Sequence, residues 1–247
     1  DPPNMKITTE EVENILSFIN KKDTAAVEVM IMQDGSSHRP TYVLSRGAYD
    51  APSDRVYVGL PEAIMPFDSV KYGNNRLGLA KWLTDKKNPL TARVFVNRMW
   101  QEFFGRGLVK TSGDFGMQGE MPSHPELLDW LAIDFMDNGW DVKALHKEIL
   151  LSATYRQSSR SRPDLEETDP YNRLLARQTR IRLDAEIIRD SALVASGLLA
   201  PKVGGPGVYP PIPEGAMATT QVKRPWPTDV GSDRYRRGLY TFFYRMS

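Results

Sequence analysis

Apolar residues recur at helical spacing through residues 88–158, the most strongly patterned stretch of the chain. Its first pattern has apolar side chains three and four positions apart, which places them on one face of a predicted helix. That face consists of Ala92, Phe95, Val96, Met99 and Phe103. Pro89 suits the first turn and Gly105 or Gly107 the end, while Trp100 and Phe104 widen the apolar surface. A helix that is apolar around so much of its circumference should be central to the fold.

Two more helical patterns follow, and turn chemistry marks their boundaries. Ser123 and Glu126 have the spacing of a capping box, which predicts a helix that starts at Ser123 with His124 at its first helical position. Asn138 and Gly139 are typical of a helix end, and Asp141 can cap the next helix. The apolar positions expected to pack the two helices together are Leu127, Leu128, Leu131, Phe135, Val142, Leu145 and Ile149.

Before residue 70 the pattern changes from helical spacing to alternation. Thr8 or Thr9 begins a short predicted helix, and residues 27–32 then alternate as a strand does. Asp34 and Gly35 are typical of a turn, so residues 40–46 should pair back on that strand, with residues 55–58 as a third extended segment. The predicted fold class is therefore α+β, a mainly helical body with a small antiparallel sheet near the N-terminus.

The last third of the chain contains one more helical pattern and one irregular stretch. Residues 182–199 have helical periodicity, whereas residues 201–215 are too rich in proline and glycine for regular structure. We divide the chain into residues 1–70, the N-terminal helix and sheet, and residues 71–247, a helical body that forms one domain. The sequence starts without methionine and stops after an aromatic run, so we expect an internal piece of a longer polypeptide, truncated at the C-terminus.

Composition narrows the function classes. The 32 basic and 31 acidic residues nearly cancel, which argues against nucleic acid as a partner, and no apolar run of membrane-spanning length occurs. The chain has no cysteine, so thiolate metal sites and covalent haem attachment are excluded within it. Its three histidines are dispersed and show no zinc-binding spacing, so no metal site is predicted from them.

Several segments in order carry a family resemblance. These are RLGLAKWLTDKKNPLTARVFVNRMWQEFFGRGLVKTSGDFG, PSHPELLDWLAIDF, GWDVKALHKEILLSATYRQSS, RLDAEIIRDSALVASGLL and YRRGLYTFFYR. Together they resemble the uncharacterised domain that accompanies cytochrome-c-like modules in large secreted proteins of planctomycetes and Bacteroidetes. The resemblance covers most of residues 39–245 and adds no assigned activity.

The resemblance implies a cellular context. In that family a haem-binding module lies upstream, which implies export to the periplasm or cell surface. It also implies that the partners are other domains of the same polypeptide or a partner subunit. The chain differs from the family by lacking a haem-attachment motif and by ending before the usual C-terminal helical part. No cofactor is therefore expected in this piece, and the resemblance implies that any haem would be carried by an upstream module.

The loop at residues 111–124 holds the candidate catalytic residues. Asp114, Glu120 and His124 combine carboxylates with an imidazole among three glycines, a set that can do general acid/base chemistry. Asp114 and Glu120 could instead bind calcium with loop carbonyls. The structural interpretation is a glycine-rich connection between two buried helices, and base rates favour it over either chemistry.

Arginines on the helical patterns form a second candidate set. The candidate ligand-binding residues are Arg93, Asn97 and Arg182, because arginines on a helix can bind a sulfated or carboxylated ligand through hydrogen bonds. The alternative is an internal ion-pair network, in which charges of both signs satisfy one another. Its members would be Arg180, Arg182, Asp184, Glu186, Arg189 and Asp190. We expect the network.

Aromatic residues allow sugar stacking in principle. The candidates are Trp100, Trp130, Trp140, Trp226, Tyr209 and Tyr235, and core packing is the default expectation for them.

Two functional hypotheses follow from the sequence as a whole. The leading one is a non-catalytic interaction or scaffold module of an exported, cytochrome-associated multidomain protein. The alternative is a glycan-directed enzyme or binding module that uses the 111–124 loop. The sequence leaves open whether the chain is an enzyme.

Overall fold

The computed structural model describes residues 9–10, 12–13, 29–35, 37, 39–213, 215 and 225–243. Contacts divide the chain into two units, Asp1–Thr91 and Ala92–Ser247. Seven α-helices lie between residues 69 and 195, and the described residues form one sheet of two antiparallel strands. The predicted fold class, mainly helical with a small antiparallel sheet near the N-terminus, is confirmed. The helix predicted from Thr8 or Thr9 lies mostly outside the described residues.

The sheet belongs to the first unit. Strand β1, Thr41–Leu44, pairs with β2, Pro52–Val56, so that Thr41 faces Val56 and Leu44 faces Pro52. Ser45–Gly47 forms a 3-10 turn between them, and the Ser45 N–H donates to the Ala51 carbonyl at 2.9 Å. The predicted pairing of residues 27–32 with 40–46 is wrong for residues 29–35, which form no strand. The short connection at residues 45–51 brings a nearer partner, β2, against β1.

Two short helices complete the first unit, α1 at Ser69–Tyr72 and α2 at Arg76–Leu83. Asp68 begins α1 by accepting hydrogen bonds from two backbone N–H groups, and Asn75 begins α2 by accepting one from Gly78. The small core of this unit consists of Met65, Tyr72 and Trp82. The Trp82 indole also donates to the Met65 carbonyl at 3.1 Å, which fixes the orientation of the buried ring.

Helix α3, Thr91–Phe104, begins at the boundary and is the central helix of the second unit. It starts two residues after Pro89 because the Asn88 side chain accepts hydrogen bonds from the Leu90 and Thr91 N–H groups. Its most buried stripe is Ala92, Val96, Trp100 and Phe104. Phe95, Met99 and Phe103 are partly buried beside the core, so the predicted central position of this helix is confirmed.

Helices α4, Pro125–Asp137, α5, Val142–Leu151, and α6, Ala153–Arg156, follow. Leu128, Leu131 and Phe135 of α4 join Leu145 and Ile149 of α5 in the core formed with α3. The predicted end of α4 at Asn138 and Gly139 and the cap of α5 by Asp141 are both confirmed.

The predicted capping box at the start of α4 is wrong. His124, rather than Ser123, occupies the N-cap position, and no side-chain cap bond forms there. Ser123 is held one residue earlier, because its backbone N–H and its hydroxyl both donate to the Leu108 carbonyl, at 2.8 and 3.3 Å. The preceding loop therefore decides where this helix begins.

Helix α7, Ala185–Ala195, has no buried residue. It docks through polar side chains: Arg189 donates to the Arg236 and Arg234 carbonyls at 2.7 and 3.0 Å, and Asp190 accepts from the Gly238 N–H at 2.7 Å. Three apolar side chains of the same helix, Ile187, Ile188 and Val194, are exposed. This helix is thus docked by the polar groups of Arg189 and Asp190, while these three apolar side chains stay at the surface.

Residues 201–213 contain no helix or strand, in accord with their proline and glycine content. Arg236 holds this segment: its guanidinium is fully buried and donates to the Lys202, Gly204 and Pro206 carbonyls. The same group lies 3.8 Å from the centre of the Tyr240 ring. Backbone oxygens and an aromatic face thus stabilise this buried cation, which has no ion pair with any described residue.

Candidate functional site

The loop between α3 and α4 is anchored by one buried asparagine. The Asn97 side chain is fully buried, and it donates to the Val109 carbonyl at 3.0 Å while accepting from the Val109 N–H at 2.8 Å. Gly107 lies against this pair, because an added Cβ would be 2.6 Å from the Asn97 amide nitrogen. The loop therefore leaves α3 along a defined path.

Asp114 has a structural task within its own turn. Its carboxylate accepts a hydrogen bond from the Gly116 N–H at 2.8 Å, and its carbonyl accepts one from the Thr111 hydroxyl at 2.8 Å. The Thr111 hydroxyl in turn accepts from the Glu120 N–H at 2.9 Å. These bonds close the loop on itself, as aspartate commonly does in tight turns.

Glu120 lies among three cations. Its carboxylate is 3.0 Å from the Lys110 ammonium, 3.6 Å from Arg106 and 3.9 Å from Arg173. The hydrogen bond from Lys110, with the charges of Lys110, Arg106 and Arg173, lowers the pKa of Glu120. A carboxylate in this setting is ionised and is a poor proton donor near neutral pH.

His124 is engaged by its neighbour. The Ser123 hydroxyl lies 3.0 Å from His124 Nδ1, and both side chains are partly buried. The three candidate catalytic residues, Asp114, Glu120 and His124, are therefore each held by separate local contacts. Among the described residues no group of three or more histidine and carboxylate side chains is arranged to hold a metal ion.

The three candidate ligand-binding residues have different surroundings. Arg93 forms an ion pair with Asp129 at 2.6 Å, which lowers the pKa of that carboxyl. Asn97 is enclosed and bonded to Val109, so it has no surface to offer a ligand. Arg182 is exposed and has no ion pair within the described part of the chain.

The expected six-residue ion-pair network does not form. Arg189 and Asp190 are 3.7 Å apart and mainly bond to backbone groups, as described for the docking of α7. Arg182, Asp184 and Glu186 are exposed, and no ion pair among the described residues includes them. The prediction failed because the docked partner of α7 is a backbone segment, whose carbonyl and N–H groups replace the opposite charges.

A cavity of about 140 Å³ opens beside the three basic side chains that surround Glu120. Trp100 and Phe104 of α3 line it with their stacked rings, whose centres are 4.3 Å apart. Arg106, Lys110 and Arg173 line it too, and so bring charge to an apolar base. The site thus combines three basic side chains with two aromatic rings.

Sequence reasoning missed Arg106, Lys110 and Arg173. Arg106 and Lys110 follow the end of α3 in the loop, where no periodic pattern pairs them, and Arg173 comes from a distant loop. Only the fold brings it to Glu120. The structure also separates the aromatic candidates: Trp100 is buried and Trp140 packs on the core, whereas Trp130 is 52% exposed and departs from the core expectation. Trp226 donates to the Pro210 carbonyl and packs edge-on against Tyr209.

Comparison with known proteins identifies a family whose function is unknown. The family model described as "Protein of unknown function (DUF1553)" matches residues 75–247. Searches of curated proteins and of solved structures give no match. Among the described residues, no helix has the length and apolar character needed to cross a membrane.

Proposed function

The chain belongs to the DUF1553 family of proteins of unknown function, and we propose that it is a non-catalytic interaction module within a multidomain protein. The observation that carries this proposal is the orientation of α7. Arg189 and Asp190 dock the helix through hydrogen bonds to backbone groups, and the apolar side chains of Ile187, Ile188 and Val194 stay open to solvent. A contiguous apolar surface of this kind usually marks a contact with another protein surface.

The exposed stripe has helical geometry. Ile187 and Val194 are seven residues apart and lie on the same side of α7, with exposed fractions of 49% and 62%. Ile188 adds to the edge of this stripe, and Leu198 continues it just beyond the helix. Burying such side chains against a partner contributes about 1.5–3 kcal/mol each at full burial. The stripe is therefore suited to receive an apolar groove or helix.

The contacts of the loop support a non-catalytic role. Asp114 closes a turn, Glu120 is ion-paired and His124 is bonded to Ser123. A general acid or base needs a lone pair or proton directed at a substrate. The polar groups of these three residues instead face neighbouring groups of the protein. The same contacts argue against the alternative, a glycan-directed enzyme built on residues 111–124.

The finer part of the proposal concerns context. We propose that the module is exported, to the periplasm or cell surface, and works beside a cytochrome-like module that carries haem. The support is the sequence resemblance of residues 39–245 to domains of that setting. The partner that covers α7 would then be a neighbouring domain of the same polypeptide, since such a domain is always present at high local concentration.

The experiment compares surface variants of the 247-residue chain. The wild type should bind the hydrophobic dye ANS, and Ile187→Glu combined with Val194→Glu should remove most of that fluorescence because it places charges in the stripe. The double variant should keep its stability within about 0.5 kcal/mol, as exposed substitutions generally do.

The matched control is Val70→Glu, which charges an isolated apolar side chain that is 95% exposed in the other unit. Its dye binding should equal that of the wild type. A wild type without dye binding, or a double variant that binds dye as well as the wild type, would refute α7 as the interaction surface.

A further inference from the structure

The cavity beside Glu120 has an excess of positive charge. Arg106, Lys110 and Arg173 surround a single carboxylate, so two positive charges are left over at its edge. Mutually repelling cations are held together here without enough acidic partners. Such an arrangement differs from an internal network, in which both signs balance, and is typical of an anion-binding site.

The two arginines also have unused donors. The distances of 3.6 and 3.9 Å from Arg106 and Arg173 to Glu120 are too long for hydrogen bonds. Neither guanidinium donates a hydrogen bond elsewhere within the described ranges. A guanidinium offers a planar set of N–H donors that can bind both oxygens of a carboxylate in a bidentate arrangement. Both groups can therefore bind a ligand carboxylate without losing an existing hydrogen bond.

Most of the other side chains that line the cavity are apolar, and Ser123, Asn172 and Thr179 line it too. Trp100 and Phe104 form its base, and Leu108 and Ile181 complete the wall. Its volume of about 140 Å³ is close to that of an engineered protein cavity of roughly 150 Å³ that binds benzene. Tyr171, which is 79% exposed, lies at the lining where a ring could stack on it. The space thus suits one six-membered ring.

We propose that this cavity binds a small organic anion, a carboxylate carried on a six-membered ring. The carboxylate lies between Arg106 and Arg173, and the ring lies over Trp100 and Phe104. Glu120 acts as an internal competitor, because its own carboxylate attracts the cations that the ligand needs. The ring can be aromatic or a sugar, and two probes distinguish these sources. The proposal is independent of the role of α7.

The test is a calorimetric titration of the 247-residue chain with benzoate, with glucuronate and with inorganic sulfate at low ionic strength, where exposed charges are weakly screened. At least one of the two carboxylates should bind saturably and more tightly than sulfate. Arg106→Gln and Arg173→Gln should each weaken binding about tenfold, the effect of removing one hydrogen bond to a charged group. Glu120→Gln should tighten it.

Arg98→Gln is the matched control, because it removes an exposed arginine of α3 that does not line the cavity. It should bind as the wild type does, and thermal melts should show that every variant is folded. Benzoate binding alone assigns an aromatic ligand, and glucuronate binding alone assigns a sugar acid. Sulfate binding as tightly as either carboxylate would overturn the role of the ring. Absence of saturable carboxylate binding to both the wild type and Glu120→Gln would overturn the site.

Discussion

Asn97 and Val109 exchange two hydrogen bonds, as residues of paired strands do, although one partner uses its side chain and the other its backbone. Asn97→Ala leaves both backbone groups of Val109 buried without a partner. Each such loss costs about 1–3 kcal/mol, so the free energy of unfolding should fall by about 2–6 kcal/mol. Urea denaturation measures this. Arg98→Ala, at the neighbouring exposed position, is the control. Equal stability of the two variants would contradict a stabilising role for the two Asn97–Val109 hydrogen bonds.

Gly107 is required by the same pair of hydrogen bonds between Asn97 and Val109. An added Cβ would lie 2.6 Å from both the Asn97 amide nitrogen and the Val109 carbonyl oxygen, so Gly107→Ala should destabilise the chain by about 1–3 kcal/mol. Gly113→Ala is the comparison, because nothing lies within 4 Å of its added Cβ. Thermal melts of the two variants should differ clearly. A Gly107→Ala variant as stable as Gly113→Ala would show that the loop has another path.

The two helix starts should respond differently to loss of their polar residue. Asp141 caps α5 by accepting hydrogen bonds from the Lys143 and Ala144 N–H groups at 2.8 and 3.1 Å. Asp141→Ala should therefore cost about 1 kcal/mol in the free energy of unfolding. Ser123→Ala should cost less, because Ser123 makes no cap bond, its hydroxyl bond to Leu108 is long and its other contact is with the side chain of the adjacent, half-buried His124. A larger loss of stability for Ser123→Ala than for Asp141→Ala would contradict this and would favour a capping role for Ser123.

Asp85 makes the first unit sensitive to acid. The hydrogen bond from Lys71, with those from the Lys87 N–H and the Tyr72 hydroxyl, lowers the pKa of Asp85 well below its ordinary value of 3.8. A depressed folded pKa gives stability that is present above the unfolded pKa and is lost as pH falls through the folded pKa. Asp85→Asn should be less stable at neutral pH and lose less stability below about pH 4. Parallel pH–stability curves for the two proteins would contradict this.

Helices α3, α4 and α5 could be predicted because their information is local. Apolar spacing decides their buried faces, and Asn138, Gly139 and Asp141 determine their boundaries through neighbouring backbone groups. The start of α4 failed because Leu108, a residue 15 positions earlier, competes for Ser123. The hairpin failed for a related reason, since alternation predicts a strand but does not choose its partner.

The sites depend on distant parts of the chain, which a single sequence does not bring together. Arg173 reaches Glu120, and Arg236 reaches the carbonyls of residues 202–206, only after folding. Periodicity also predicted a helix within residues 182–199 but could not tell that Arg189 and Asp190 would dock it on distant backbone groups. Which face of an amphipathic helix is covered depends on all of its neighbours.

The most direct test of the interaction role is thiol labelling of α7 in the natural polypeptide, which we propose to be a multidomain protein. The 247-residue chain contains no cysteine, so Val194→Cys introduces one defined thiol in it, and mass spectrometry of the peptide that contains residue 194 follows its alkylation. Val70→Cys gives the rate of an uncovered thiol in the isolated chain. We predict fast alkylation of Val194→Cys in the isolated chain and strong protection in the natural polypeptide. Equally fast alkylation in both would contradict the account.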